Sequence, residues 1–345
     1  MLCPLSARAN PQRRLNPQRR LNHGTHVPVN TSTDVFAKRD FVNPQGQQQL
    51  PADFQLLLIG GGFSGKRLAA EVKRRGGKVL VTHRQQQADG PHLLFNSETG
   101  EQPPLSALMG TTHLLSTAAP EASGSDPCLR CLGPVLQQLP LRWAGYLSST
   151  GVYGDAKGGW VDEQSDPFEP LQTRSAARLA CEQAWQVQSW PTQIFRLPGI
   201  YGPGRNPIAL LNRGLGKMVH KPGQVFGRIH VDDIVGAVLH CLLMGEQNQV
   251  TQKLPGIVNV VDDLPAPSSN TWSYAAHLLG CCLPDYLSYA DIEAELSPMA
   301  KSFWQENRRV SNKLLKLELG YQLKYPTYRE GLMACFKEEG FSFQG

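Results

Sequence analysis

No stretch of this 345-residue chain approaches 18 consecutive apolar residues, so no membrane span is expected. Acidic residues are missing from its start. None precedes Asp34, while Arg8, Arg13, Arg14, Arg19 and Arg20 all fall in that segment. The formal net charge of +5 therefore sits largely at the N-terminus, and the rest of the chain is close to neutral. Basic residues elsewhere do not cluster among aromatics, so nucleic acid is not an expected partner. Metal-ligand spacing is also scarce. Of the eight cysteines, Cys128 and Cys131 form a C-x-x-C with no second pair to complete a site. No metal is expected, and scattered thiols point to a reducing compartment.

What is present is a large core, with 41% hydrophobic residues. That length and content suit one large α/β unit with a smaller lobe. Residues 1–50 read as a disordered or targeting extension. They are rich in Asn, Pro, Gln and Arg, and Asn10-Pro-Gln-Arg-Arg-Leu15 repeats at once as Asn16-Pro-Gln-Arg-Arg-Leu21. Residues 51–262 read as the dinucleotide-binding unit, with 200–228 contributing to a substrate lobe. Residues 263–345 read as a small mixed substrate lobe.

The organising stretch is Leu56-Leu57-Leu58-Ile59-Gly60-Gly61-Gly62-Phe63-Ser64-Gly65. Four aliphatic residues predict a strand buried on both faces, and a helical pattern follows from about 64 to 75. Gly60, Gly62 and Gly65 have the spacing G-x-G-x-x-G. That spacing serves a tight turn, backbone approach to a pyrophosphate, and close helix-on-strand packing. Phe63 and Ser64 open the helix, whose free N–H groups favour phosphate. The second strand, about 78–82, ends in Thr82-His83-Arg84 instead of the acid that holds an NAD ribose. Arg84 can pair with a 2′-phosphate, which favours NADP, with NAD as the alternative.

Further strands are expected near 92–96, 111–116, 143–149, 193–197 and 257–260. Helices are expected near 128–138, 170–188, 207–216, 231–244 and 269–280. Ser116, Thr117 and Ala118 then fall at the carboxyl end of the sheet, where small side chains leave room for a cofactor ribose. Ser148 and Ser149 end the next strand. Arg178 and Glu182 are spaced for a helix ion pair, and Asp232 or Asp233 for an N-cap.

Four ordered blocks carry a resemblance: the glycine motif, Leu147-Ser-Ser-Thr-Gly-Val-Tyr-Gly154, Arg196-Leu-Pro-Gly-Ile-Tyr-Gly-Pro-Gly-Arg205, and Arg228-Ile-His-Val-Asp-Asp-Ile234. Over about 54–335 the chain resembles the extended short-chain dehydrogenase/reductase superfamily, of the sugar-nucleotide epimerase/dehydratase type. Within that type it is similar to an atypical bacterial, cyanobacterial and plastid subgroup. The resemblance implies a Rossmann-type doubly wound parallel sheet with a small C-terminal substrate lobe. It also implies a nicotinamide cofactor along Ser148, Arg178, Pro198 and Ile200, and a small-molecule substrate. Such proteins form homodimers through two sheet-flanking helices, here those near 128–138 and 170–188. The protein is then cytoplasmic in a bacterium or plastid in a eukaryote.

The superfamily works with a serine, a tyrosine and a lysine. The serine matches Ser149; the tyrosine position falls on Arg174 and the lysine position on Arg178. Arginine is no ordinary proton donor. Arg178 can hold the ribose, and Arg174 can take a substrate phosphate or carboxylate. Tyr153 is the nearest candidate phenol, followed by Tyr201, with His230 a weaker acid. Arg205, Arg228, Arg174 and Tyr201 are the candidate substrate contacts. Two functions stay open: an oxidoreductase or epimerase on a small polar, phosphate-bearing metabolite, and a cofactor-holding sensor, scaffold or assembly factor without turnover.

Overall fold

The computed structural model of the protein describes residues 49–86, 93–247 and 254–342, all within one compact unit. The extension expected over 1–50 lies outside these residues except for its last two. Of those, Leu50 is buried in the core, and its N–H donates to the Arg75 carbonyl at 3.0 Å. The packed structure thus begins slightly before residue 51.

Seven strands form one sheet: β1 (Gln55–Ile59), β2 (Lys78–His83), β3 (Leu93–Leu94), β4 (His113–Ser116), β5 (Trp143–Ser149), β6 (Thr192–Leu197) and β7 (Ile257–Asn259). Their order is β7-β6-β5-β4-β1-β2-β3, and every neighbouring pair is parallel. The order reverses between β1 and β4. At such a switch point the helices that follow the two strands leave to opposite faces, and a crevice opens at the carboxyl edge.

The aliphatic run Leu56–Ile59 is fully buried because both faces are covered. On one face lie α1 (Phe63–Arg74) and α4 (Val231–Gln247), packing Leu68, Ala69, Val72, Ile234, Val238 and Leu242 against Leu56 and Leu58. On the other lie α2 (Pro127–Leu136) and α3 (Thr173–Gln186), packing Leu132, Leu136, Cys181 and Trp185 against Leu57 and Ile59. Alternation of side chains along β1 sends residues 56 and 58 to one face and 57 and 59 to the other.

The lobe has its own core of Tyr201, Ile208, Ala275, Leu278, Leu332 and Phe336. It is built from Pro207–Leu211, α5 (Ser268–Leu279) and α7 (Tyr328–Glu338), with α6 (Pro298–Gln305) beside it. The helix near 207 ends at Leu211 rather than 216, where Gly214, at a φ of 67°, lies in the turn that follows. Small parallel pairs tie the lobe to the sheet. Gly199–Tyr201 runs beside Arg228–His230, and Trp160–Val161 beside Arg309–Val310.

One stretch departs from the two-part division of the sequence. Leu315, Leu319, Tyr321 and Leu323 pack in the sheet core beside α4, not in the lobe. Asp233 fixes this return. Its carboxylate accepts from the Tyr321 hydroxyl at 3.1 Å and from the backbone N–H of Lys324 and Tyr325 at 2.6 and 3.0 Å. Asp232 and Asp233 therefore sit inside the first turn of α4. The Asp232 N–H donates instead to His230 Nδ1 at 3.2 Å, so the histidine supplies the capping acceptor.

Candidate functional site

The glycine loop after β1 is clamped from two sides. The Gly60 N–H donates to Thr82 Oγ1 at 3.1 Å, and the Gly61 N–H to the Thr82 carbonyl at 3.0 Å. From the β4 side, Thr117 Oγ1 donates to the Ile59 and Gly60 carbonyls, each at 3.1 Å. Gly60 has a φ of +100°, and a Cβ there would collide with Thr117 Oγ1. A Cβ on Gly65 would run into the Gly60 carbonyl. A Cβ on Gly62 would meet nothing within 4 Å. Two glycines thus let the loop close on itself, and the third leaves its outer side open. Gly62 also precedes α1, which has no side-chain cap and no acid in its first turn. The N–H groups of Phe63, Ser64 and Gly65 have no preceding helical turn to bond to. A dinucleotide's phosphates fit this cradle.

Along the same edge, Arg178 of α3 reaches β4 and β5. Its Nη1 donates to the Ala118 carbonyl at 3.1 Å, the Tyr146 hydroxyl at 2.7 Å and the Leu147 carbonyl at 3.3 Å. It does not pair with Glu182. That carboxylate points into the protein, where it accepts from Ser148 Oγ at 2.5 Å and binds Arg196 at 2.7 Å. The expected helix pair is thus replaced by a buried cross-element pair, because Arg196 on the neighbouring β6 is also buried and needs a carboxylate. Ser148 has its hydroxyl committed there. Ser116 is wholly buried, with Oγ accepting from the Ala118 N–H at 3.4 Å. Arg84 is exposed at the end of β2, with no ion-pair partner among the described residues.

Ser149, Arg174, Pro198, Ile200, Tyr201, Arg205 and Arg228 line one cavity of ≈ 780 Å³ between the sheet edge and the lobe. Ser149 Oγ accepts from the Gly151 N–H at 3.1 Å, which fixes the turn that lines the cavity. Five arginines border this space: Arg174, Arg205, Arg213, Arg228 and Arg308. Among the described residues its one acidic lining residue is Glu306, which pairs with Arg308 at 2.7 Å. Arg228 Nη1 donates to the carbonyls of Phe226 and Ala266 at 2.9 and 3.0 Å. The nearby Asp262 is buried, and desolvation lifts its carboxyl to about 8 against the pull of Arg228. Phe226, Phe303, Trp304 and Tyr328 supply aromatic walls.

Tyr153 does not border the cavity. It is wholly buried, its hydroxyl donates to Asn259 Oδ1 at 2.8 Å, and its ring lies 4.6 Å under the Arg196 guanidinium. Burial pushes its phenol up to about 12, the wrong direction for an acid at neutral pH. Tyr201 lies at the wall, but its hydroxyl is buried with no hydrogen-bond partner among the described residues, and burial raises its pKa. His230 is buried, with Nε2 3.6 Å from Cys335 Sγ and its pKa lowered to about 4 by desolvation. Sequence reasoning missed Arg213, Phe303, Trp304 and Arg308. Nothing local in the sequence around Arg308 shows that the chain brings it back to the turn after β5, where its Nη1 donates to the Gly154 carbonyl at 2.6 Å.

No family model and no curated protein matches the chain. Solved structures do. A conserved protein of unknown function from Silicibacter pomeroyi is 40% identical with a TM-score of 0.72, over 83% of this chain and 99% of that one. A Methylobacillus flagellatus protein described as an NAD-dependent epimerase/dehydratase is 25% identical, with a TM-score of 0.63 over 84% and 99%. Human epimerase family protein SDR39U1, solved with NADPH, shares the fold at 19% identity and a TM-score of 0.64, over 82% and 99%. With its seven-stranded parallel sheet and its glycine loop at the switch point, the chain belongs to the extended short-chain dehydrogenase/reductase superfamily, among the epimerase/dehydratase-like proteins.

Proposed function

We propose that this protein holds a nicotinamide dinucleotide, NADP in preference to NAD, and acts as an oxidoreductase or epimerase on a small phosphate-bearing metabolite of the sugar-nucleotide kind. The observation that carries this reading is the clamped glycine loop, whose open side at Gly62 faces away from every neighbour within 4 Å. Gly60, Gly62, Phe63, Ser64 and Gly65 receive the phosphates, and Thr117, Ala118, Pro198 and Ile200 line the cofactor's path. Arg84 pairs with a 2′-phosphate. Arg178 stands where the superfamily's lysine stands and donates to a ribose hydroxyl. The cofactor supplies or accepts a hydride. Ser149 orients the substrate oxygen, and Arg205 and Arg228 bind its phosphate.

Helix α3 has neither tyrosine nor lysine, and the Tyr153 phenol is buried behind the site. Those observations favour a second reading, in which the protein holds the cofactor as a sensor or scaffold without turnover. Titration by calorimetry with NADPH and NADH tests both. NADPH should bind about tenfold more tightly than NADH, and Arg84→Ala should level the two. Failure of both to bind would sink the dinucleotide reading. Binding without oxidation of NADPH across a panel of sugar-nucleotide ketones would favour the second reading. A homodimer through the outer faces of α2 and α3 belongs to the same proposal, and sedimentation equilibrium tests it.

A further inference from the structure

One stripe of the last helix reaches several parts of the site. Gly331, Cys335 and Glu338 of α7, with Glu339 just past its end, follow the spacing i, i+4, i+7, i+8 and share one face. Gly331 lies against the Tyr201 hydroxyl, where a Cβ would collide. Cys335 Sγ is 3.6 Å from His230 Nε2. Glu338 Oε1 accepts from Arg67 of α1 at 2.5 Å, and Arg67 also pairs with Asp232 of α4 at 3.1 Å. Glu339 Oε1 accepts from the Gly204 N–H at 2.8 Å and from Asn206 Nδ2 at 2.5 Å.

Gly204, Arg205 and Asn206 line the cavity, and their loop is folded on itself. Gly202 and Arg205 exchange N–H to carbonyl bonds at 3.1 and 2.9 Å, and Asn206 Nδ2 also donates to the Gly202 carbonyl at 2.9 Å. The start of the loop rests on the dinucleotide side. A Cβ on Gly202 would come within 3.1 Å of Phe63 Cζ, and the Arg205 guanidinium lies 5.5 Å from the centre of the Phe63 ring. Phe63 opens α1 at the phosphate cradle. The loop is thus held between α1 and α7, and α7 is itself tied to α1. The two carboxylates are not equal. Glu338 has a side chain 48% exposed, and an exposed ion pair holds weakly. Glu339 binds Asn206, which is only 5% exposed, through a charge-assisted bond.

Resting on the proposed dinucleotide site, we infer that α7 couples that site to the cavity, with Glu339 as the positioning residue. A dinucleotide at the first turn of α1 steadies Phe63 and Arg67, and with them the two supports of the loop. The loop then opens less often, and the cavity wall that it forms is set.

The test is amide hydrogen exchange of the full chain with and without NADPH, run beside calorimetry. NADPH should slow exchange at Gly204, Arg205 and Asn206 about tenfold. Glu339→Ala should remove that slowing, while NADPH affinity stays within threefold and exchange across β1, β4 and β5 stays as before. Glu339→Gln keeps an acceptor oxygen and should keep most of the slowing. NADPH that binds the unaltered protein and leaves the loop's exchange unchanged would overturn the inference and leave the dinucleotide site standing. So would equal slowing in the unaltered protein and in Glu339→Ala, which would mean that α7 plays no part in it. If NADPH does not bind the unaltered protein, the dinucleotide reading falls, and the coupling with it.

Discussion

The two halves of the site are made from different materials. The cofactor edge is made of backbone: glycines at 60, 62 and 65, the free turn of α1, and two threonines that hold the loop by its peptide groups. The cavity is made of side chains, five arginines and five aromatics from segments more than a hundred residues apart. A backbone cradle needs few residue types and a fixed spacing, so it is shared by many proteins and says little about the substrate. A side-chain cavity says what it binds through its charge, and different elements must fold before the charges meet.

Behind both halves stands one buried support. Ser148, Glu182, Arg196 and Tyr153 join β5, α3 and β6, with Asn259 of β7 taking the Tyr153 hydroxyl. Breaking it gives the largest expected effect. Glu182→Ala leaves the buried Arg196 guanidinium without a counter-charge, and unfolding in urea should show a loss of about 3–5 kcal/mol. Both halves should fail together. A loss below about 1 kcal/mol would mean the two halves are held separately.

The next effect separates the halves. Gly62→Ala places a methyl where no atom lies within 4 Å, so thermal stability should change little. Dinucleotide affinity should nevertheless fall about a hundredfold, because the methyl occupies the side of the loop that a pyrophosphate approaches. Affinity for a sugar phosphate in the cavity should hold. If the dinucleotide binds Gly62→Ala normally, the open side of the loop is not its approach.

The same contrast sets what could be read before the structure. The aliphatic run at 56–59, the glycine spacing and the alternation of strands and helices dictate the sheet locally, so its fold was legible. Gly60 and Gly65 could be placed because the reasons for glycine are local. The true partner of Glu182 was not legible. Its i, i−4 neighbour Arg178 looked right, but burial on β6 gave Arg196 the stronger demand. Nor was the course of residues 315–323, which leave the lobe because Asp233 captures two backbone N–H groups at 324 and 325. Phe303 and Arg308 reach the cavity through other long-range contacts: Arg309–Val310 pairs with Trp160–Val161, Arg308 Nη1 donates to the Gly154 carbonyl at 2.6 Å, and Gln172 Nε2 donates to the Ser302 carbonyl at 3.2 Å.

A third test addresses the strand edge away from the site. His113 on β4 is wholly buried, with Nε2 3.0 Å from Glu246 and Nδ1 2.8 Å from Thr112 Oγ1. Burial, reinforced by Arg142, lowers its pKa from 6.5 to about 3. The unfolded chain therefore binds a proton there that the native protein refuses. Stability from this group is full above pH 6.5 and falls as the pH drops toward 3, by about 2 kcal/mol at pH 5. His113→Gln should flatten that part of the urea midpoint's pH dependence. An unchanged slope would show that His113 becomes protonated in the native state, paired with Glu246.

The smallest effect decides whether Tyr153 belongs to the chemistry or to the support. Its hydroxyl makes one buried hydrogen bond, to Asn259 Oδ1. Asn259 is also held elsewhere, since its Nδ2 donates to the Ser311 carbonyl at 3.2 Å and its N–H to Glu163 at 2.8 Å. Tyr153→Phe should therefore keep the side chain's place and cost about 1–2 kcal/mol for the carbonyl oxygen left unpaired. Cofactor and sugar phosphate should bind as before, and any turnover should persist within twofold. Loss of turnover with unchanged affinities would move Tyr153 from the support into the reaction. It would require the wall between the phenol and Ser149 to open when a ligand binds, because the resting hydroxyl faces Asn259 and not the cavity.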